Sequence, residues 1–244
     1  MNVLGVILAR AGSQGLKNKH LLPLLGRPVI AYTFEHARAA RLLTRCVVSS
    51  DSQEILRLAG EEGFQTVARP AELATDSASV QDVLLHALDV VEAGGDFTAD
   101  AVVVLYGNVP VRGEGVIDRA IAVLRSTGCD SVRSFCPVGK WHPAWMARIE
   151  DGRVVPLQPN SIHRRQDLEP LFIHDGAVVA VSRASLLRAR EHRDDPHAFF
   201  GEDRRAIITA PGETVEIDRL VDFFLTEAIL RQRTGAPAAV RKAS

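Results

Sequence analysis

Short apolar runs rich in β-branched residues alternate with amphipathic stretches along most of this chain. That rhythm restricts it to a layered α/β architecture. Residues 101–105, Ala-Val-Val-Val-Leu, form the clearest run. A continuous apolar strand of this kind is expected to be covered on both faces, as in a parallel sheet. Residues 3–8, 46–49, 64–67, 131–136 and 171–181 read as further strands. Helices are expected from 28 onward, behind Ser50-Asp51-Ser52 to about 61, over 79–92 and over 113–126, with a strongly amphipathic one over 218–233. In 79–92, Val80, Val83, Leu84, Ala87, Leu88 and Val91 recur at helical spacing. Asp51 is the economical N-cap of the helix that follows it. Gly63 and Gly94-Gly95 supply stops.

The rhythm breaks over 137–170. Trp141, Trp145, Met146 and several prolines crowd this stretch, and Asp151-Gly152 marks a hairpin turn. An insertion so apolar is expected to pack on a partner subunit or to fold over the active site. At 244 residues the chain fits one large domain over 1–233 with this inserted lobe, followed by a flexible tail over 234–244.

A net charge of −1 argues against a general nucleic-acid binder, which needs a basic excess. Cys46, Cys129 and Cys136 lack metal-type spacing and cannot all pair, which favours a reducing compartment. No segment is long enough to cross a membrane, and the apolar start has no charged region ahead of it. A cytoplasmic protein is expected.

The chemistry-bearing stretch is 7–20, Ile-Leu-Ala-Arg-Ala-Gly-Ser-Gln-Gly-Leu-Lys-Asn-Lys-His. It follows the first strand and carries Gly12, Ser13, Gly15, Arg10, Lys17 and Lys19. Glycines let backbone N–H groups approach an anion, and cations neutralise it, so a phosphate-holding loop is expected at the carboxyl edge of the sheet. It matches neither a Walker A loop nor a dinucleotide fingerprint. Further along, Arg164-Arg165-Gln166-Asp167 is either a solvated turn or an anion-binding cluster at the mouth of the sheet. Glu216-Ile217-Asp218 places two carboxylates on one side of an extended segment. Such a pair suits Mg²⁺, although Asp218 could instead cap the last helix. Asp76 has no decisive reading.

Taken together, these stretches resemble the acylneuraminate cytidylyltransferase family, which makes CMP-activated sugar acids. The resemblance rests on the opening loop, Val-Val-Ser-Ser-Asp at 47–51, and Arg-Pro-Ala-Glu-Leu-Ala-Thr-Asp-Ser-Ala-Ser at 69–79. His142-Pro143, Arg165-Gln166, Asp175-Gly176-Ala177 and Glu216-Ile217-Asp218 follow in the family's order. It covers roughly residues 3–230.

The resemblance implies a Rossmann-like nucleotidyltransferase, α/β, with a mostly parallel sheet covered by helices and a small inserted dimerisation lobe. It implies CTP and a sugar acid as substrates, Mg²⁺ as cofactor and a homodimer. Ala9, Arg10, Gly12, Ser13, Lys19, Arg69 and Ser79 would bind the nucleotide. Tyr106, Asn108, Arg165, Gln166 and Asp175 would serve the sugar acid. Asp218 and Glu216 would hold the metal, and Arg10, Lys19, Arg165 and Asp218 would carry catalysis. Four positions depart from the family pattern. His20 and Asp175 stand where Asn is usual, Glu216 where Asp is usual, and residues 106–110, Tyr-Gly-Asn-Val-Pro, replace Gln-Pro-Thr-Ser-Pro. Two rivals stay open. One is a nucleotidyltransferase for an eight-carbon sugar acid; the other is a non-catalytic nucleotide-binding protein of a surface-polysaccharide pathway.

Overall fold

The structure is a computed structural model that describes residues 1–12, 15–233 and 235. In chain order its elements are β1 (Val3–Leu8), β2 (Pro23–Leu24), β3 (Arg27–Pro28), α1 (Val29–Ala39), β4 (Arg45–Ser50) and α2 (Gln53–Glu61). β5 (Gln65–Ala68), α3 (Val80–Glu92), β6 (Ala101–Tyr106), α4 (Val116–Thr127) and β7 (Ser131–Pro137) follow. The rest are β8 (Ala147–Glu150), β9 (Arg153–Pro156), β10 (Phe172–Ser182), α5 (Arg183–Arg188), β11 (Arg204–Ile208) and α6 (Leu220–Arg233).

Seven strands make one sheet in the order β5-β4-β1-β6-β10-β7-β11. All run the same way except β10, which is antiparallel to both β6 and β7. The sheet is buried on both faces by alternation within its strands. Val103 and Leu105 of β6 join Ile7, Phe34, Ile55, Ile121 and Val178 under α1, α2 and α4. Val102 and Val104 turn the other way, onto Leu84, Leu88 and Leu186 of α3 and α5. A third cluster, Leu24, Val29, Val111, Val215, Ile217 and Leu230, binds the small β2–β3 ribbon and α6 to the sheet's carboxyl edge.

The chain leaves β1 for β4 and β5 on one side, then returns to β6 on the other. The carboxyl ends of β1 and β6 therefore diverge into a crevice, the usual place for a ligand in a sheet of this kind.

Several sequence expectations need correction. Ser52, not Asp51, caps α2, its side chain accepting from the Ile55 N–H. α4 begins at Val116 rather than 113, because Gly115 takes a left-handed conformation at its N-terminus. β10 is antiparallel, and its register with β7 shifts between His174 and Val179. α6 begins at Leu220 and lacks the expected strong amphipathicity, since Leu220, Val221, Phe224 and Leu225 are exposed. Asp218 does not cap it. The Asp222 carboxylate reaches back to the Asp218 and Arg219 N–H groups at 3.2 and 2.8 Å.

The hairpin at Asp151-Gly152 forms as expected, with φ of 50° and 77° in its two turn residues, as a two-residue hairpin loop requires. In the same inserted region Trp141, Ile149 and Val154 are each about two-thirds exposed. The expected flexible tail lies, apart from Gly235, outside the described residues.

Candidate active site

Two backbone ladders build the crevice. The Gly107 N–H donates to the Leu8 carbonyl and the Ala9 N–H to the Ser49 carbonyl, so the loop after β1 starts from a fixed point. On the facing side, the segment 215–217 runs along 108–111. The Val215 N–H donates to the Val111 carbonyl and the Ile217 N–H to the Asn108 carbonyl. Val215 and Ile217 are buried in the third core cluster. Alternation then turns Glu216 and Asp218 out together, toward the opening.

The resulting cleft, about 220 Å³, is lined by Ala9, Arg10, Lys19, Arg69, Tyr106, Asn108 and Glu216, among others. Lys19 Nζ lies 2.6 Å from Asp218 Oδ1. Asn108 Nδ2 donates to Glu216 Oε1 at 3.0 Å and to Asp218 Oδ1 at 3.3 Å. Burial pushes the Glu216 carboxyl above its usual range, and the Asp218 charge adds to the effect. Two carboxylates share this corner with incomplete compensation, which is the electrostatic condition of a cation site. Gly15 lies against the same corner. A Cβ there would meet the Asp218 carbonyl oxygen at 2.5 Å, so the loop can close on Asp218 only without a side chain. A Cβ on Gly12, by contrast, would meet nothing within 4 Å.

Two acidic residues, Asp51 and Asp76, tie the loop down. The Ala11 N–H donates to Asp51 Oδ1 at 2.9 Å, which explains why Asp51 does not cap α2. Arg10 hydrogen-bonds Asp76. Arg69 donates to the Ser49 carbonyl at 2.9 Å, and burial lowers its pKa while Asp51 opposes the shift. Burial also lowers His20 to about 3, with Lys19 adding to the effect, so its imidazole is neutral beside these cations.

The sequence reading missed Arg112. Buried behind the cleft, this guanidinium donates to the carbonyls of Tyr106, Val109 and Ala177 and to Thr33 Oγ1. It holds the 106–110 segment from below. The available signal was an arginine inside the apolar run 109–112.

Other expected site residues are not among those lining this cleft. Ser79 caps α3, accepting from the Asp82 N–H and donating to the Asp82 carboxylate. The Asp175 carboxylate is occupied in the β10 irregularity, where Ser134, Thr209 and the Ala177 N–H donate to it and hold it below the usual carboxylate range despite burial. Arg165 and Gln166 border a separate cavity, about 580 Å³, with Trp141 and His142. Ser13 lies outside the described residues. Among the described residues, no group of three or more His, Cys, Asp or Glu side chains converges as a metal cluster, and no helix is long and apolar enough to cross a membrane.

Comparison with known proteins adds to this geometry. The family described as "Cytidylyltransferase" matches residues 4–196. An N-acylneuraminate cytidylyltransferase of Streptococcus agalactiae is 30% identical over 91% of this chain and 52% of its own length. The chain thus spans about half of that relative. A CMP-N,N'-diacetyllegionaminic acid synthase of Legionella pneumophila is 28% identical over 94% of this chain and 97% of its own. A solved structure of CMP:2-keto-3-deoxy-manno-octonic acid synthetase complexed with CTP superposes with a TM-score of 0.71 at 18% identity. It covers 96% of this chain and all of its own, which shows the shared fold.

Proposed function

Because the chain belongs to the cytidylyltransferase family, we propose that it transfers CMP from CTP to the anomeric hydroxyl of a sugar acid of the nonulosonic type, releasing pyrophosphate. The observation that carries this reading is the meeting of Arg10, Lys19 and Arg69 with the Glu216–Asp218 pair at one sheet edge.

Displacement at the α-phosphorus demands alignment and neutralisation of charge more than covalent help from the protein. Lys19 and Arg10 meet that demand by exchanging their present partners, Asp218 and Asp76, for phosphate oxygens. Ala9 and Arg69 flank the nucleotide end of the cleft; Tyr106 and Asn108 line the same cleft and serve the sugar acid in this reading. Glu216 and Asp218 would hold Mg²⁺, since two neighbouring carboxylates whose charge Lys19 compensates only in part suit a hard cation that keeps waters and takes phosphate oxygens. Held by these two residues, Mg²⁺ would supply charge neutralisation and would make the attacking hydroxyl more acidic. Asn108 keeps the two carboxylates in place by donating to both.

The same proposal includes a homodimer that buries the exposed apolar side chains of the 137–170 lobe, and a cytoplasmic location, in keeping with three free cysteines. An eight-carbon sugar acid is the alternative to this nine-carbon reading.

The test is pyrophosphate release from CTP across a panel of both kinds of acid, with and without Mg²⁺. Turnover that needs Mg²⁺ and an acid is expected. Silence with every acid, in a chain that still binds CTP, would leave a nucleotide-binding protein without this activity.

A further inference from the structure

His20 closes the loop after β1 in the single turn 19–21, behind Asn18 in a left-handed conformation. Only 4% of it is exposed, yet it borders the cleft together with Arg10, Lys19 and Arg69. Burial first, and then the charges of those three residues, keep its imidazole neutral. Its Nδ1 is buried with no hydrogen-bond partner. A polar atom left in that state carries a free-energy cost, so packing rather than hydrogen bonding sets where the ring lies.

The ring is seated on Gly107. A Cβ on residue 107 would stand 3.0 Å from His20 Cδ2, 3.1 Å from the Leu8 carbonyl oxygen and 3.3 Å from the Ala9 Cβ, so the imidazole edge uses space that a side chain there would take. The Gly107 N–H donates to the same Leu8 carbonyl, which fixes this contact at the point where β1 and β6 part. Positions 20 and 107 both belong to the departures from the family pattern, which has Asn and Pro there. The two departures fit each other, because a proline ring carbon at 107 would stand in the place of the imidazole edge. Nothing local in the sequence links them.

The contact lies between two sets of groups with different tasks in the functional reading above. On one side, Lys19 precedes His20 in the chain, and the Arg10 carbonyl bears on the imidazole, opposing the fall in its pKa. Lys19 and Arg10 are the residues that exchange Asp218 and Asp76 for phosphate oxygens when CTP enters. On the other side, Gly107 sits between Tyr106 and Asn108, which line the cleft and serve the sugar acid. Asn108 also donates to Glu216 and Asp218. His20 is thus packed between the loop that receives phosphates and the segment that receives the acid.

We propose that His20 is a positioning residue that couples the two substrate subsites through its contact with Gly107. Rearrangement of the loop around the phosphates shifts the imidazole, gives its unpaired Nδ1 a partner and resets Gly107 and its neighbours for the sugar acid. This deepens the functional reading above and rests on it. Each substrate then tightens the other, since both favour the same seating of one ring.

The test uses the full chain with CTP, Mg²⁺ and the acid that the panel identifies as substrate. Initial rates over a matrix of both concentrations give the factor by which one substrate tightens the other. In the wild-type chain that factor is expected to be about fivefold or more. His20→Ala, which empties the seat on Gly107, should bring it to within about twofold of unity. His20→Asn is too short to fill the seat, should act likewise, and serves if the Ala variant does not fold. Gly107→Ala should also lower the factor, and should add little once His20→Ala has removed the ring it presses on. Equal effects of Gly107→Ala in both backgrounds would deny the contact its role. A purely structural His20 would lower the melting temperature and leave the factor unaltered. That result in a folded variant, or a wild-type factor of unity, would overturn this inference alone, because turnover would still support the functional reading. Wild-type silence with every acid would overturn both.

Discussion

The crevice at the ends of β1 and β6 and the lobe over 137–170 are built on opposite terms. In the crevice most polar side chains are fastened from behind. Asp51 holds the Ala11 N–H, Arg112 holds the carbonyls of Tyr106 and Val109, and buried Val215 and Ile217 aim Glu216 and Asp218. The lobe has little of this support. It is tied by a few bonds, such as His142 Nε2 to the Glu169 carbonyl and Trp145 Nε1 to the Ile162 carbonyl, while Trp141 stays 68% exposed. A site preorganised for charge must carry its own scaffold. A surface that the proposed dimer would bury can leave its apolar area uncovered in the single chain.

The largest effect that would break or sharpen this contrast is expected at Asp218. Because Asp222 caps α6, Asp218→Asn removes charge from the crevice without removing a cap. Turnover should fall by about a hundredfold or more. The lost ion pair with Lys19 is partly solvated, so thermal stability should move by no more than about 1 kcal/mol. Calorimetry beside a pyrophosphate assay reads both, and full activity would deny the corner its role.

Next comes Arg112→Ala, which strips the support and leaves the contact residues intact. Four hydrogen bonds from the guanidinium to Tyr106, Val109, Ala177 and Thr33 are lost together, and a cost of about 3 kcal/mol or more is expected. An unchanged urea midpoint would mean that the 106–110 segment holds its shape unaided.

Acid should attack the crevice half selectively. Burial lowers both His20 and His36 to about 3 from an ordinary value near 6.5, with Lys19 and Arg112 respectively adding to the effect. In each case the folded state binds the proton less readily than the unfolded chain. Their contribution to stability is thus whole above about pH 6.5 and is lost as pH falls toward 3. Each group costs about 1.4 kcal/mol per pH unit within that window. His36→Gln, which can still accept from Arg112, should flatten the acid limb of a stability–pH curve by about one proton. An identical slope would show that His36 is not buried as a neutral ring.

The smallest effect on the single chain is expected in the lobe. Trp141→Ala should change the unfolding free energy of the monomer by no more than about 0.5 kcal/mol, as at other exposed positions. It should also shift the monomer–dimer midpoint in sedimentation to at least about tenfold higher concentration. A wild-type chain that sediments as a monomer at micromolar concentration would leave the exposed tryptophan to some other purpose.

The amino-acid sequence by itself determined the layered sheet, the strands at 3–8 and 101–105, the helices running to about 61 and over 79–92, the hairpin at Asp151-Gly152, and the loop and carboxylate pair that belong to the crevice. These rest on local causes: period 2 against period 3.6, caps, and turn residues acting within a few positions. The outward turn of Glu216 and Asp218 was also legible, because alternation in an extended segment is local. Tertiary structure alone decided which groups meet. Lys19 and Asp218 are 199 positions apart, and their contact depends on 215–217 pairing with 108–111. The same holds for the use of Asp51 on the loop rather than on α2, for Arg112 beneath the cleft and for the reversed direction of β10. Such contacts are fixed by register and packing between elements distant in sequence, where each residue's own propensity is neutral. No local pattern can encode a partner that only the folded core brings near.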